Sequence, residues 1–235
     1  MENTADNHSI RPMQEQKGIT INMGEGLIED ILTREEQERL TPERVIQLLR
    51  EGNDRFVKGS ITLRNHREQV RKAVNGQFPK AIVLSCIDSR VPVEDVFDRG
   101  IGDMFVARVA GNFVNEDILG SMEYACKVAG SKLVLVLGHE HCGAIKSAIA
   151  GFEMGNITRM LAKIKPALDA VTDYHGEKSN TNEEYVHLVT EKNVQLTIAQ
   201  IRQQSPILKE MEDQGQIKII GGLYDMDTGK VNFLE

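Results

Sequence analysis

Apolar residues gather into four short runs: AIVLS at 81–85, MFVARV at 104–109, KLVLVL at 132–137 and IKII at 217–220. Each is rich in β-branched residues or Leu. Each is continuously apolar rather than alternating, the pattern of strands buried on both faces in a parallel sheet. Helical spacing of apolar positions falls between and around these runs, at about 92–98, 117–129, 143–151, 154–173 and 182–203. The alternation of strand and helix predicts an α/β fold with a mostly parallel four-stranded sheet and helices on both faces. Near the end, YDMDTGKVNFL sets Asp-Thr-Gly between two extended segments, which predicts a C-terminal antiparallel strand.

Before the first strand, Thr41 is a natural N-cap and Pro42 a good first helical residue. Val45, Leu48, Leu49 and Phe56 share a stripe, so a helix is expected from Pro42 to near Gly59. Residues 1–38 are polar and acidic, and no amphipathic period begins until LIEDILTREEQERL. They are read as an N-terminal arm, partly helical or flexible, with 1–25 ordered against a partner subunit. Residues 39–235 are read as one catalytic domain. The segment YHGEKSNTN, 174–182, is a loop.

Composition narrows the class. A chain of 235 residues with 40% apolar content can build one sizeable core. The net charge of -7 comes with no basic run of five or more residues, which argues against a nucleic-acid partner. No apolar stretch reaches the roughly 18 residues that span a bilayer, and the start lacks an apolar signal core. No membrane partner and a cytoplasmic location are therefore expected. Cys86, Cys126 and Cys142 are too few, and odd in number, for a disulfide framework. Free thiols in a reducing compartment fit better.

The chemistry lies where the strands stop. The first run leads into CIDSRVP, the second into AGN, the third into GHEHCG. Ligands gather at the carboxyl ends of strands in open α/β sheets. Cys86 can therefore meet His139 and Cys142 across 53 positions of sequence. Two thiolates and an imidazole suit zinc, and three protein ligands leave a fourth tetrahedral position open, as catalytic sites do. His141 competes with His139, but it adjoins Cys142 and the two side chains should diverge. Cys126, within a helical pattern, reads as a buried small apolar residue. Asp88 and Arg90, two apart on an irregular segment, can form a bidentate pair. Arg90 would keep Asp88 ionised and turned toward the metal.

CIDSRVP, DMFVARVAGN, SMEYA, GHEHCGAIKSAI and the late GGLYDMDTG resemble the β-class carbonic anhydrases, over about 45–228. The resemblance implies one Zn2+ per subunit on Cys86, His139 and Cys142, with Asp88 and Arg90 as the catalytic dyad. It implies reversible hydration of CO2 to bicarbonate and a proton, by attack of zinc-bound hydroxide, in a homodimer or homotetramer. It also places Gln77 as a hydrogen-bond donor to substrate, and Phe105 and Tyr124 as pocket residues supplied by an adjoining subunit. The bland readings are a loop Gln and core aromatics. Ile87 departs from the Ser that many members carry. The chain has no Trp, so the Trp-containing inhibitory bicarbonate site of some bacterial members has no counterpart in its usual form. COS or CS2 hydrolysis on the same scaffold, and a non-catalytic zinc-binding regulatory role, are the alternatives. A thiol redox role is weak, because no Cys-x-x-Cys is present.

Overall fold

The computed structural model describes residues 27–234. Five strands form one sheet: β1 (Ala81–Ser85), β2 (Met104–Arg108), β3 (Leu133–His139), β4 (Lys218–Tyr224) and β5 (Val231–Leu234). Their order is β2-β1-β3-β4-β5. The first four are parallel to their neighbours, and β5 runs antiparallel to β4. The mixed α/β sheet expected from the sequence is present. The helices are α1 (Arg34–Glu38), α2 (Pro42–Val57), α3 (His66–Ala73), α4 (Val93–Val96), α5 (Glu116–Glu123), α6 (Gly143–Ile149), α7 (Gly155–Leu161), α8 (Lys165–Ala170), α9 (Glu183–Gln204) and α10 (Pro206–Asp213).

Strand alternation sorts the core into two layers. Ala81 and Val83 of β1 and Leu133 and Leu135 of β3 point to one face, where they meet Val45 and Leu49 of α2 and Val93 of α4. Ile82, Leu84, Val134 and Val136 point to the other, against Met122 of α5, Val194 and Ile201 of α9 and Leu208 of α10. Leu135 is wholly buried, so truncating it to Ala would cost about 2–5 kcal/mol.

Register is what positions the site. Ser85, the last residue of β1, lies level with Arg108 and Leu137. β3 runs two residues further, and His139 lies beside Tyr224 of β4. The residue after β1 therefore emerges next to the end of β3.

Local chemistry explains several boundaries. Thr41 caps α2 by accepting from the Arg44 amide, with Pro42 in the first turn. The span 154–173, read as one helix, is two: α7 and α8, separated at 162–164, with Pro166 able to sit only in the first turn of α8. The expected helix at 92–98 contracts to α4, and 117–129 splits into α5 and a π-helical turn, Tyr124–Val128. β4 extends past 220 to Tyr224, through Gly221 and Gly222. Val194 Cγ1 would lie 2.7 Å from a Cβ on Gly221, so α9 packs here because the side chain is missing. Of the arm read at 1–38, residues 1–26 lie outside the described residues. Within the rest, Gln37 of α1 is buried and donates to the carbonyls of Pro79 and Ala129.

Candidate metal centre

Cys86 follows β1, His139 ends β3, and Cys142 sits at the start of α6. All three are buried, at 3%, 0% and 0% exposure. Their ligand atoms lie within 4.8 Å of one another. His141, between two of them, has φ 55° and leaves the cluster. Its ring reaches Glu183 at 3.8 Å and Asp227 at 3.7 Å instead. The left-handed backbone at His141 is what lets His139 and Cys142 converge while the residue between them turns away.

The donors fit a metal ion on three counts. The two sulfurs are 3.9 Å apart; a tetrahedral ion with bonds of about 2.3 Å to sulfur separates two thiolates by roughly 3.8 Å. His139 Nδ1 lies 2.8 Å from the Glu140 carbonyl, which can only accept, so the proton is on Nδ1. Nε2 then carries a lone pair, and it is buried with no partner. Such an orphan is costly unless something fills the gap. Finally, the thiols already share charge. The Cys142 thiol and the amides of Gly111 and Asp88 pull Cys86 down despite burial. The Cys86 thiolate and burial push Cys142 up. A divalent cation seated between the two sulfurs would favour the thiolate form of both.

Asp88 stands beside this cluster. Arg90 grips it in a fork, Nε to Oδ1 at 3.0 Å and a terminal nitrogen to Oδ2 at 2.8 Å, and the Arg90 amide adds a bond to Oδ1 at 2.9 Å. The Arg90 guanidinium holds the Asp88 carboxyl down at about 2, against the effect of burial. Oδ2 lies 4.0 Å from His139 Nε2, on the open side of the donor set. Arg90 also donates to the His141 carbonyl at 3.3 Å, which ties the loop after β1 to the turn after β3.

Gln77, Phe105 and Tyr124 are grouped with each other rather than with this cluster. Phe105 pairs with Ile82, four positions before Cys86, which is about 13 Å along a strand. Its ring meets the edge of Tyr124 at 6.4 Å, and both line a groove beside β2. Gln77 and Tyr124 line an adjoining cleft with Arg34 and Phe78. Tyr124 is 55% exposed and β2 is the sheet edge. Ile87 is exposed and so points away from the donors. Cys126 is buried in the α5 layer, and burial pushes its thiol up to about 12.

Sequence reasoning passed over Arg108, Gly111 and Asn193. Arg108, last in β2, donates to the carbonyls of Cys86, Asp88 and Val91 and so braces the loop that carries the dyad. An Arg ending an apolar run was the available signal. The Gly111 amide donates to Cys86 Sγ at 3.4 Å. Asn193 donates to the Gly111 carbonyl from 82 positions away, which no local pattern reveals.

Known proteins resemble this chain in sequence and fold. The family pattern described as carbonic anhydrase matches residues 81–231. Carbonic anhydrase 2 of Mycobacterium tuberculosis is 34% identical over 183 residues, covering 77% of this chain and 87% of its own length. The chain belongs to the carbonic anhydrase family. Its fold is that of the β class. A Sordaria macrospora enzyme, one of two described as tetrameric β-carbonic anhydrases, superposes with a TM-score of 0.62 at 26% identity, over 70% of this chain and 85% of that one. A Coccomyxa β-carbonic anhydrase solved with acetazolamide gives 0.65 at 24% identity, over 81% of this chain and 85% of that one.

Proposed function

We propose that this chain holds one zinc ion through Cys86, His139 and Cys142 and catalyses the reversible hydration of CO2 to bicarbonate and a proton. The observation that carries this is the buried, unpartnered Nε2 of His139 facing two sulfurs at a tetrahedral spacing. Zinc bound there would acidify a water toward neutral pH and supply the nucleophile.

The chain's own groups do the rest. Asp88, kept ionised by Arg90, can only accept hydrogen bonds. It therefore accepts from the attacking water and turns a lone pair of that water toward carbon. Arg90 fixes the carboxylate plane through two parallel bonds, so little reorganisation is left for the reaction. Glu140, through its carbonyl, keeps the His139 proton on Nδ1 and the other nitrogen available. CO2 is linear and apolar, so its pocket must be apolar with a donor for one oxygen. Phe105 and Tyr124 supply the apolar wall and Gln77 the donor. Because they lie along the exposed β2 edge, a second copy packed on that edge would bring them to its neighbour's zinc. The functional unit is therefore read as a homodimer or homotetramer.

The catalytic domain is assigned to 39–235, with 1–38 as its arm. Its three cysteines are free, and among the described residues no helix is long and apolar enough to cross a membrane. Both agree with placing the enzyme in the cytoplasm.

Stopped-flow CO2 hydration on purified protein, alongside metal analysis, tests the reading. The expected result is one zinc per chain and turnover that a chelator removes and zinc restores. Zinc-loaded protein that releases sulfide from COS or CS2 but leaves CO2 unhydrated would replace it, as would zinc-loaded protein with no turnover at any pH.

A further inference from the structure

The turn after β2 presents a hydrogen-bond donor to one of the two sulfurs. The Val109 amide donates to the Ser85 carbonyl at 3.1 Å, and the Asn112 amide to the Val109 carbonyl at 2.9 Å, closing a four-residue turn. Gly111, third in that turn, has φ 83°, the value of a type II turn. Relative to a type I turn, the peptide between the second and third residues is flipped over. Its N–H, that of Gly111, therefore points outward and reaches Cys86 Sγ at 3.4 Å. A type I turn would offer the sulfur the Ala110 carbonyl instead. A side chain at 111 would be strained: the φ favours glycine, and a Cβ would lie 2.6 Å from Ile164 Cδ1.

Something must hold the flipped turn in place. The Gly111 carbonyl accepts from Asn193 Nδ2 at 2.9 Å, a fully buried bond. Asn193 is only 3% exposed and shares its helix face with the buried Val186 and Val189. An amide in such surroundings is expensive unless it is paired, and the partner it finds is this turn.

We infer that Asn193 is a positioning residue for Cys86. It clamps Gly111 from the far side, so that the Gly111 N–H stays on the sulfur and limits how much electron density Cys86 gives to a bound metal. This rests on the zinc assignment above. Two thiolates and a neutral imidazole cancel the formal charge of a divalent ion. A donor bond to one thiolate gives back part of that charge, and with it the ion's power to acidify water.

Three measurements test it. In cobalt-loaded protein, Asn193→Ala should move the thiolate-to-cobalt charge-transfer absorption to lower energy, since a thiolate without its N–H donor is more easily oxidised. Chelator competition should show zinc held about ten- to a hundred-fold less tightly, the usual cost of losing a group that orients a ligand. Thr190→Val, which removes a buried hydroxyl of α9 that bonds only within its own helix, should change neither. If Asn193→Ala does not fold, unaltered protein loaded with cadmium still decides the matter. A through-bond coupling between cadmium and the Gly111 amide proton is expected, and its absence would overturn the inference. An Asn193→Ala spectrum and affinity identical to wild type would overturn it as well. Wild-type protein that binds no metal would instead remove the zinc assignment, and the inference with it.

Discussion

The two ends of the sheet bury polar groups in opposite ways. At the amino end, charges are deep but fully engaged. Lys80 pairs with Asp103, the Pro79 carbonyl accepts from Gln37 and Ser131, and beside the sheet Asp98, between α4 and β2, accepts from Arg55, Arg64 and Thr62. At the carboxyl end the pattern reverses. Among the described residues, the buried side-chain nitrogen and oxygen atoms without a partner are Ser85 Oγ, Asn112 Nδ2 and His139 Nε2. They belong to the end of β1, the turn after β2 and the end of β3. Satisfied buried charge ties segments together. Unsatisfied buried polar atoms call for a partner, whether ion, water or substrate.

The largest effect should come from breaking the open end. Cys86→Ala removes one of three ligands, and the protein should lose its zinc and all CO2 hydration. A variant that keeps stoichiometric metal by elemental analysis would show that the cluster is not the centre. Next is Asp88→Asn, which keeps the shape but loses the charge and half of the acceptor capacity. Zinc content should stay near one per chain while turnover falls by about a hundred- to ten-thousand-fold, the range for a group that handles a proton in the transition state. Full turnover in that variant would remove Asp88 from the mechanism.

Breaking the engaged charges away from the metal cluster should cost stability rather than chemistry. Asp98→Ala strands the nearly buried Arg64 and should lower unfolding stability by about 3–5 kcal/mol in denaturant titration. Burial alone would push the Asp98 carboxyl up, but its bonds from Arg64, Thr62 and Arg55 outweigh this and hold it well below the usual carboxylate range. Its stabilisation is therefore complete above about pH 4, the unfolded value, and fades as pH falls through the folded one. The gap between wild type and variant should narrow on acidification; a gap that widens would contradict the assignment.

A smaller effect should come from the β2 edge. Tyr124→Asp adds charge to an exposed apolar groove. Sedimentation should show a shift to smaller species, with hydration reduced and zinc content unchanged. Unaltered association would place the subunit interface elsewhere.

Much of this contrast was legible in the residues. Continuous apolar runs located the strands, and Cys86, Asp88, Arg90, His139 and Cys142 stood out because each follows or ends such a run within a few positions. What stayed hidden was carried by distance or by weak patterning. α3 reads HREQVRKA, nearly all polar, so no periodicity announces it, and Asn65 as its cap was the sole cue. α10 carried a stronger signal, Ser205 as cap and Pro206 in the first turn, yet it falls just beyond the helical pattern at 182–203 and was passed over. Asn193 looks like one more polar residue of a long helix until the turn at Gly111 is placed against it. Which buried charges are satisfied could not be read from sequence either, since that depends on partners such as Arg64 and Asp98, 34 positions apart.

The most direct test is diffraction from crystals of the purified protein with anomalous data across the zinc absorption edge. A single strong peak within bonding distance of Cys86 Sγ, His139 Nε2 and Cys142 Sγ, with Asp88 beside the fourth position, is the expected outcome. A peak at any other group of side chains, or no peak in protein that still hydrates CO2, would contradict the account.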